Sequence, residues 1–130
     1  MRTTPMFKDS PAFSGFSVDD QAAAKMFYSE VLGLEVADGP MGLHLSIAGG
    51  HAVFVYPKAD HVPATYTILN FPVEDIDAAV ADLKAKGVVF ETSDWTDGQG
   101  IARGIAAGQG PDIAWFKDPA GNTLAVLHEA

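Results

Sequence analysis

The chain has no cysteine, which excludes disulfides, thiolate zinc sites, iron–sulfur clusters and thiol nucleophiles. Any bound metal must therefore be held by His, Asp or Glu. Basic residues are also scarce: eight Lys and Arg stand against seventeen Asp and Glu, a formal charge of −9. Such a chain repels phosphate backbones and anionic lipid and has no Lys/Arg cluster to overcome the repulsion. Neither nucleic acid nor a membrane surface is an expected partner. The acidic field would favour cationic ligands, or simply keep a small protein soluble. Long apolar runs are missing too. No stretch reaches bilayer-spanning length, and the opening MRTTPMFKDSPAF holds no continuous apolar segment of signal-peptide length, so a soluble cytoplasmic protein is expected.

What is present is one unit written twice. With 130 residues and 48% apolar content, the chain can bury a single core without staples. Phe13 to Asp20 matches Ile68 to Asp75, aligning Phe16 with Phe71, Val18 with Val73, and Asp20 with Asp75. Each is a short strand running into an aspartate suited to accept from the free amides of a helix's first turn. Helical spacing follows in both: Ala23, Phe27, Tyr28 and Val31 in the first copy; Ile76, Ala79, Val80 and Leu83 in the second. Gly33 and Gly87 then stop the helices and lead into apolar, strand-like residues. Each copy closes on a hairpin. Leu43 to Ile47 precedes Ala48 to Tyr56, and Ile113 to Lys117 precedes Ala120 to His128, with Asp118-Pro119-Ala120-Gly121-Asn122 a cluster of turn formers. Each unit thus reads strand, helix, three strands. Pro57 to Pro63 is the natural linker, and residues 91–112 form an expanded, glycine-rich loop with no counterpart in the first copy. Expanded loops on a repeated scaffold are where specificity usually sits.

The run Val18-Asp19-Asp20 followed by Phe27-Tyr28-Ser29-Glu30-Val31-Leu32-Gly33-Leu34 and the closing Trp115-Phe116-Lys117-Asp118-Pro119-Ala120-Gly121-Asn122-Thr123-Leu124 carry a resemblance. They resemble the opening and ending motifs of the vicinal oxygen chelate superfamily, the group of glyoxalase I, the bleomycin-resistance proteins and the extradiol dioxygenases, over about residues 12–128. The resemblance implies an α+β fold: two tandem βαβββ modules whose curved mixed sheets surround a cleft, with helices on the outer faces. A single domain over residues 1–130 is expected, with module one at about 12–56 and module two at about 66–128. Homodimers with clefts built from two subunits are implied as well. Alternation places Phe16, Val18, Leu69, Phe71, Val73, Leu124 and Val126 against helices. The opposite, cleft-lining faces then carry Phe13, Gly15, Ser17, Ile68, Asn70, Pro72, Thr123, Ala125, Leu127 and, by the repeat, His51, Val53 and Val55.

Metal-using members of the superfamily hold a divalent cation at the start of each module's first strand and in each module's last strand. Those positions fall here on Phe13, Val53, Ile68 and Ala125. None has a lone pair to give, and the immediate neighbours do not repair the set. A slip of two recovers only His51, and one imidazole does not make a catalytic metal site. No metal and no other cofactor is therefore expected, and glyoxalase, dioxygenase and epoxide-opening activities are all in doubt.

Other candidates remain. His44 alternates with Leu43, Leu45 and Ile47, so its ring lies opposite the apolar face, as a ligand contact, a general base or a partly solvated strand histidine. His51 and His61 read as surface residues, and His128 as structural or exposed. In the long loop Trp95 offers stacking area and Arg103 a planar anion clamp, beside Gln99 and Gln109; the alternative is that Trp95 packs on the scaffold edge and Arg103 is solvated. Asn70, polar in an apolar strand, either binds ligand or ties down backbone. Trp115 and Phe116 read as hairpin core, with one of them, taken as Phe116, reaching the cleft. The expected ligand set is thus Phe13, His44, Asn70, Trp95, Arg103, Phe116 and Ala125. The function these choices favour is metal-free binding of a small, partly apolar organic molecule. The alternatives are sequestration of a cationic, bleomycin-like drug, and an enzyme of lyase or dioxygenase type with an unrecognised site, His44 being its candidate acid or base.

Overall fold

The computed structural model describes residues 6–49 and 52–130; His51, and the reading of it as a surface or cleft residue, lies outside them. Strand β1 (Gly15–Val18) runs into helix α1 (Gln21–Met26), whose first turn is closed by Asp20 accepting from the Ala23 amide at 3.1 Å. The second copy repeats the device, with β5 (Thr67–Pro72) entering α2 (Ile76–Ala85) through Asp75 and the Ala78 amide at 3.0 Å. Helix α1 does not end at Met26 but widens into a π-helical turn, Phe27–Val31, closed by the Leu32 amide on the Phe27 carbonyl. Beyond each helix, Gly33 and Gly87 take φ of 73° and 93°, a left-handed conformation that side chains with a Cβ resist.

Strands β2 (Val36–Asp38), β3 (Leu43–Leu45) and β4 (Val53–Pro57) complete the first sheet in the order β1-β4-β3-β2. In the second, β6 (Ala102–Arg103), β7 (Asp112–Lys117) and β8 (Thr123–His128) give β5-β8-β7-β6. In each sheet the first strand runs parallel to the last and the remaining pairs are antiparallel. The architecture is therefore the expected α+β pair of βαβββ modules.

One element departs from the expectation. The residues after Gly87 make no strand: Phe90 forms a single bridge to Phe116, the Glu91 amide donates to the Trp115 carbonyl, and the chain then leaves the sheet. It returns at Ala102–Arg103 to pair with Asp112 and Ile113 at the other end of β7. The edge strand of module two is thus split by an excursion, and its second half lies inside the region read from sequence as loop. That region also holds a short helix, α3 (Gly104–Ala107).

A single apolar cluster joins both modules. Val18, Tyr28, Leu43, Leu45 and Val55 from the first meet Val80, Phe116, Leu124 and Val126 from the second, and the Phe27 ring lies 6.4 Å from that of Phe116. Polar groups stitch the same junction. Asp118 and Asn122, in the β7–β8 turn, are the buried polar residues of the described chain. Asp118 accepts from the Tyr28 hydroxyl at 2.7 Å and from the amides of Ala120 and Asn122, while the Asn122 side-chain amide donates to Asp118 and to the Ser17 carbonyl. Burial, then the charge of Asp118 and the bond to it, push the Tyr28 hydroxyl far above its ordinary range.

Candidate groove between the modules

Burial along the strands fixes which face is open. On β4, Val53 and Val55 are buried and pair with Leu45 and Leu43, so they belong to the core. The open face carries Phe54 and Tyr56, with Gly15 and Ser17 opposite them on β1. The expectation that Val53 and Val55 lie on the open, cleft-lining face of their strand is therefore wrong by one residue, although the edge of Val53 still reaches a cavity between β1 and β5. The cause is hairpin length: Leu45 pairs with Val53 in module one, whereas Lys117 pairs with Thr123 in module two. The seven-against-five difference in turn residues makes Phe54, not Val53, the structural counterpart of Ala125: Gly15 pairs with Phe54 as Asn70 pairs with Ala125. Phe54 supplies no metal-binding atom either. Ile68 falls at a bulge, since Thr67 and Leu69 pair with the consecutive residues Thr123 and Leu124. Among the described residues, no three His, Asp or Glu gather where a metal ion could be held.

The expected ligand residues do not all converge. Asn70, Ala125 and Trp115 stand in register across the open face of the second sheet. It is Trp115, not Phe116, that reaches this face. Phe116 is fully buried on the core side against Phe27 and Phe90, because neighbouring strand residues point to opposite faces. His44 is exposed on β3, two strands from β1, which at strand spacing is about 10 Å. Its ring lies 5.2 Å from Phe54, and Phe54 stacks on Tyr56 at 5.6 Å, giving an aromatic row. Phe13 precedes β1 and is 66% exposed.

Trp95 and Arg103 share a cavity. It measures about 530 Å³ and is lined also by Gln109, Ile113 and Trp115, over the far edge of the second sheet. Trp95 is 84% exposed there. Arg103, read from sequence as an anion clamp or a solvated side chain, is instead engaged within the protein. It forks onto Asp77 of α2 at 2.6 and 3.2 Å and reaches Asp97 at 2.9 Å. The bond from Arg103 holds the Asp77 carboxyl below its usual range. Burial pushes Asp97 up, but the amides of Ile101 and Gln99 and the Arg103 guanidinium outweigh it and hold that carboxyl low as well.

A second cavity of about 530 Å³ opens where β1 and β5 flank each other. Phe16, Val53, Val62, Tyr66, Ile68 and Leu69 supply its hydrocarbon, and Ser17, Thr67 and Asn122 its polar points. Val62 of the linker and Ala64 and Tyr66 just after it roof the cavity. A larger cavity, about 680 Å³, lies away from the open faces between the end of α1 and residues 86–92. His61, read as a surface residue, is half-buried beside the groove, within hydrogen-bond distance of Ser17 Oγ and the Ala120 carbonyl. His128 is structural, its Nδ1 donating to the Val73 carbonyl at 2.9 Å. The tyrosines at the groove and the His61 position were missed. Counting strand parity back from Pro57 would have found Tyr56, whereas nothing in the linker's composition announces His61.

The family model described as Glyoxalase/Bleomycin resistance protein/Dioxygenase superfamily matches residues 12–126. No curated protein is similar enough in sequence to count as a match. Among solved structures, TnmS3, an antibiotic binding protein from Streptomyces sp. CB03234, is 24% identical with a TM-score of 0.61, over 92% of this chain and 96% of that one. A glyoxalase family protein from Enterococcus faecalis is 23% identical with a TM-score of 0.65, over 94% and 99%. The fosfomycin resistance protein FosX from Listeria monocytogenes is 16% identical with a TM-score of 0.67, over 92% of each chain. At these identities the likeness concerns the fold.

Proposed function

The chain belongs to the Glyoxalase/Bleomycin resistance protein/Dioxygenase superfamily, and on that footing we propose that it is a metal-independent receptor for a small, partly apolar organic molecule held between its modules. The observation that carries the reading is the groove along β1 and β5. Ile68, one of the four positions at which the superfamily's metal users place ligands, contributes hydrocarbon to its wall, and the other three, Phe13, Phe54 and Ala125, carry no metal-binding side-chain atom. A cavity of about 530 Å³ is the right size for a small ligand, and a few polar points in an apolar wall fix orientation without supplying Lewis-acid chemistry. We assign Ser17, Val62, Tyr66, Ile68 and Asn122 to the ligand-contacting surface.

Thermal melting with and without nickel, zinc, manganese and iron(II), beside calorimetric titration of small aromatic carboxylic acids, tests this. Metals should leave the melting temperature unchanged, because only a ligand bound by the native state raises it. Ala64→Trp, which fills the groove from its roof, should abolish binding of the acids while preserving the fold. A metal-dependent rise, or binding indifferent to Ala64→Trp, would overturn the proposal.

A second reading, capture of a planar cationic drug, is favoured by the aromatic row His44–Phe54–Tyr56 in a chain of charge −9. The bleomycin-resistance part of the family description makes bleomycin-like cations the natural probes. Their affinity should fall steeply with salt, since exposed charges are screened beyond about 10 Å at 0.1 M. Phe54→Ala, not Ala64→Trp, should remove it.

A further inference from the structure

Ser17 and His61 belong to different parts of the sequence, a strand and a linker, yet their side chains meet at 2.6 Å between Oγ and Nδ1. Two backbone bonds bring the linker back: the Lys58 amide donates to the Val18 carbonyl at 2.9 Å, and the His61 amide to the Lys58 carbonyl at 3.0 Å. The ring's other nitrogen, Nε2, lies 3.0 Å from the Ala120 carbonyl. A carbonyl only accepts, so in the neutral ring Nε2 carries the proton and Nδ1 keeps its lone pair. The hydroxyl of Ser17 must then be the donor. A serine thus donates its proton to an imidazole that a third group holds in one tautomer, and the serine lines an open cavity.

The turn that supplies the third group also holds the serine. Asp118 accepts from the Ala120 amide, and the Asn122 side chain donates to the Ser17 carbonyl. Both ends of the relay are therefore fixed by one turn anchored on the buried side chains of Asp118 and Asn122, the kind of support that keeps reacting groups in register. We infer that Ser17 is a nucleophile with His61 as its general base and the Ala120 carbonyl as the orienting group, acting on small carboxylic esters whose acyl part enters the groove. Tyr56, Val62 and Tyr66 line the same cavity and suit an apolar acyl chain.

The chemistry balances with water as the second reactant. Ser17 Oγ attacks the ester carbonyl carbon while its proton passes to His61 Nδ1. The carbon–alkoxide bond breaks, the alkoxide takes that proton and leaves as the alcohol, and the acyl group remains esterified to Ser17. Water, deprotonated by the same nitrogen, then attacks the acyl carbon; Ser17 regains a proton, and the carboxylic acid departs. An amide carbonyl orients the imidazole without the full charge stabilisation of a carboxylate, so turnover should be slower than in a complete triad.

The test uses the full chain, a fluorophosphonate probe and peptide mass spectrometry, with p-nitrophenyl butyrate hydrolysis alongside. In the labelling step a phosphorus–oxygen bond forms, and fluoride and the serine proton depart. The expected result is one adduct, on the peptide position of Ser17, absent in Ser17→Ala. Labelling and ester hydrolysis should both fall about 100-fold in His61→Phe, the usual scale of a lost general base. His61 also ties the linker to both modules, so His61→Phe could unfold. The wild-type adduct map therefore stands as an independent measurement, since Ser14 lines the same groove and serves as the internal control. Selective modification of Ser17 over Ser14 supports the relay. No adduct on Ser17, equal labelling of Ser14 and Ser17, or a folded His61→Phe that labels at the wild-type rate would overturn it.

Discussion

Tyr28 shows how much a single side chain contributes at the junction. Its ring is enclosed by Phe16 and Phe27, and its hydroxyl gives buried Asp118 a donor. Tyr28→Phe keeps the ring and removes only that donor, so it should cost about 1–3 kcal/mol, the penalty for an under-satisfied buried acceptor. Urea unfolding of the two proteins measures it. Sequence revealed half of this: the spacing of Ala23, Phe27 and Tyr28 marked a buried helix face, but the Asp118–Asn122 run read only as turn formers. A turn and a buried hydrogen-bond hub share the same composition, and only long-range proximity separates them. The same limit explains the ligand residues. Alternation places Asn70 and Ala125 on the open face, whereas it misplaces Phe116, which lies on the core side, because nothing in the sequence anchors the phase of its strand to a core partner. For His61 there was no periodicity to read.

At the level of elements, the excursion between Glu91 and Ala102 is held by its own chemistry. Asp97 accepts from the amides of Gln99 and Ile101, Ile101 is fully buried, and Arg103 ties Asp97 to α2 through Asp77. Both carboxyls are depressed in the folded protein. Their contribution is therefore fully present above the ordinary carboxylate range and is lost as pH falls through the lower folded values. Arg103→Met should thus melt below wild type at pH 7, and the gap should close as pH falls below about 4. Melting curves from pH 7 to 3 check the sign. Gly104 is a second constraint on the same region, because an added Cβ would lie 2.4 Å from the Pro111 carbonyl oxygen. Gly104→Ala should cost about 1–3 kcal/mol through a forced backbone shift, read by the same melts. The capping aspartates and terminating glycines were legible because a helix end depends on a few adjacent residues. The split edge strand was not, since Ala102–Arg103 is too short to show alternation and is made a strand only by its partner β7.

For the whole molecule, the expectation of a homodimer stands as a proposal resting on the outer edges of β2 and β6, which no strand among the described residues covers, and the aromatic row on the open face. Light scattering at micromolar concentration should give twice the 13.7 kDa chain mass; a clean monomer would count against clefts shared between subunits. The doubled unit itself was legible throughout, because a repeat is a property of the chain alone. What the repeat conceals is the division of labour between its copies. The turn that closes module two supplies the acceptor for Tyr28 and the donor to Ser17 in module one, so each copy completes the other's interior. Folding should accordingly be all-or-none. Fluorescence from Trp95 and Trp115, both in the second copy, and far-ultraviolet circular dichroism from the whole chain should trace one superimposable denaturation curve. Neither half expressed alone should hold its shape. A duplication that begins with a spare copy has here ended with none to spare, and mutational damage to one half cannot be buffered by the other.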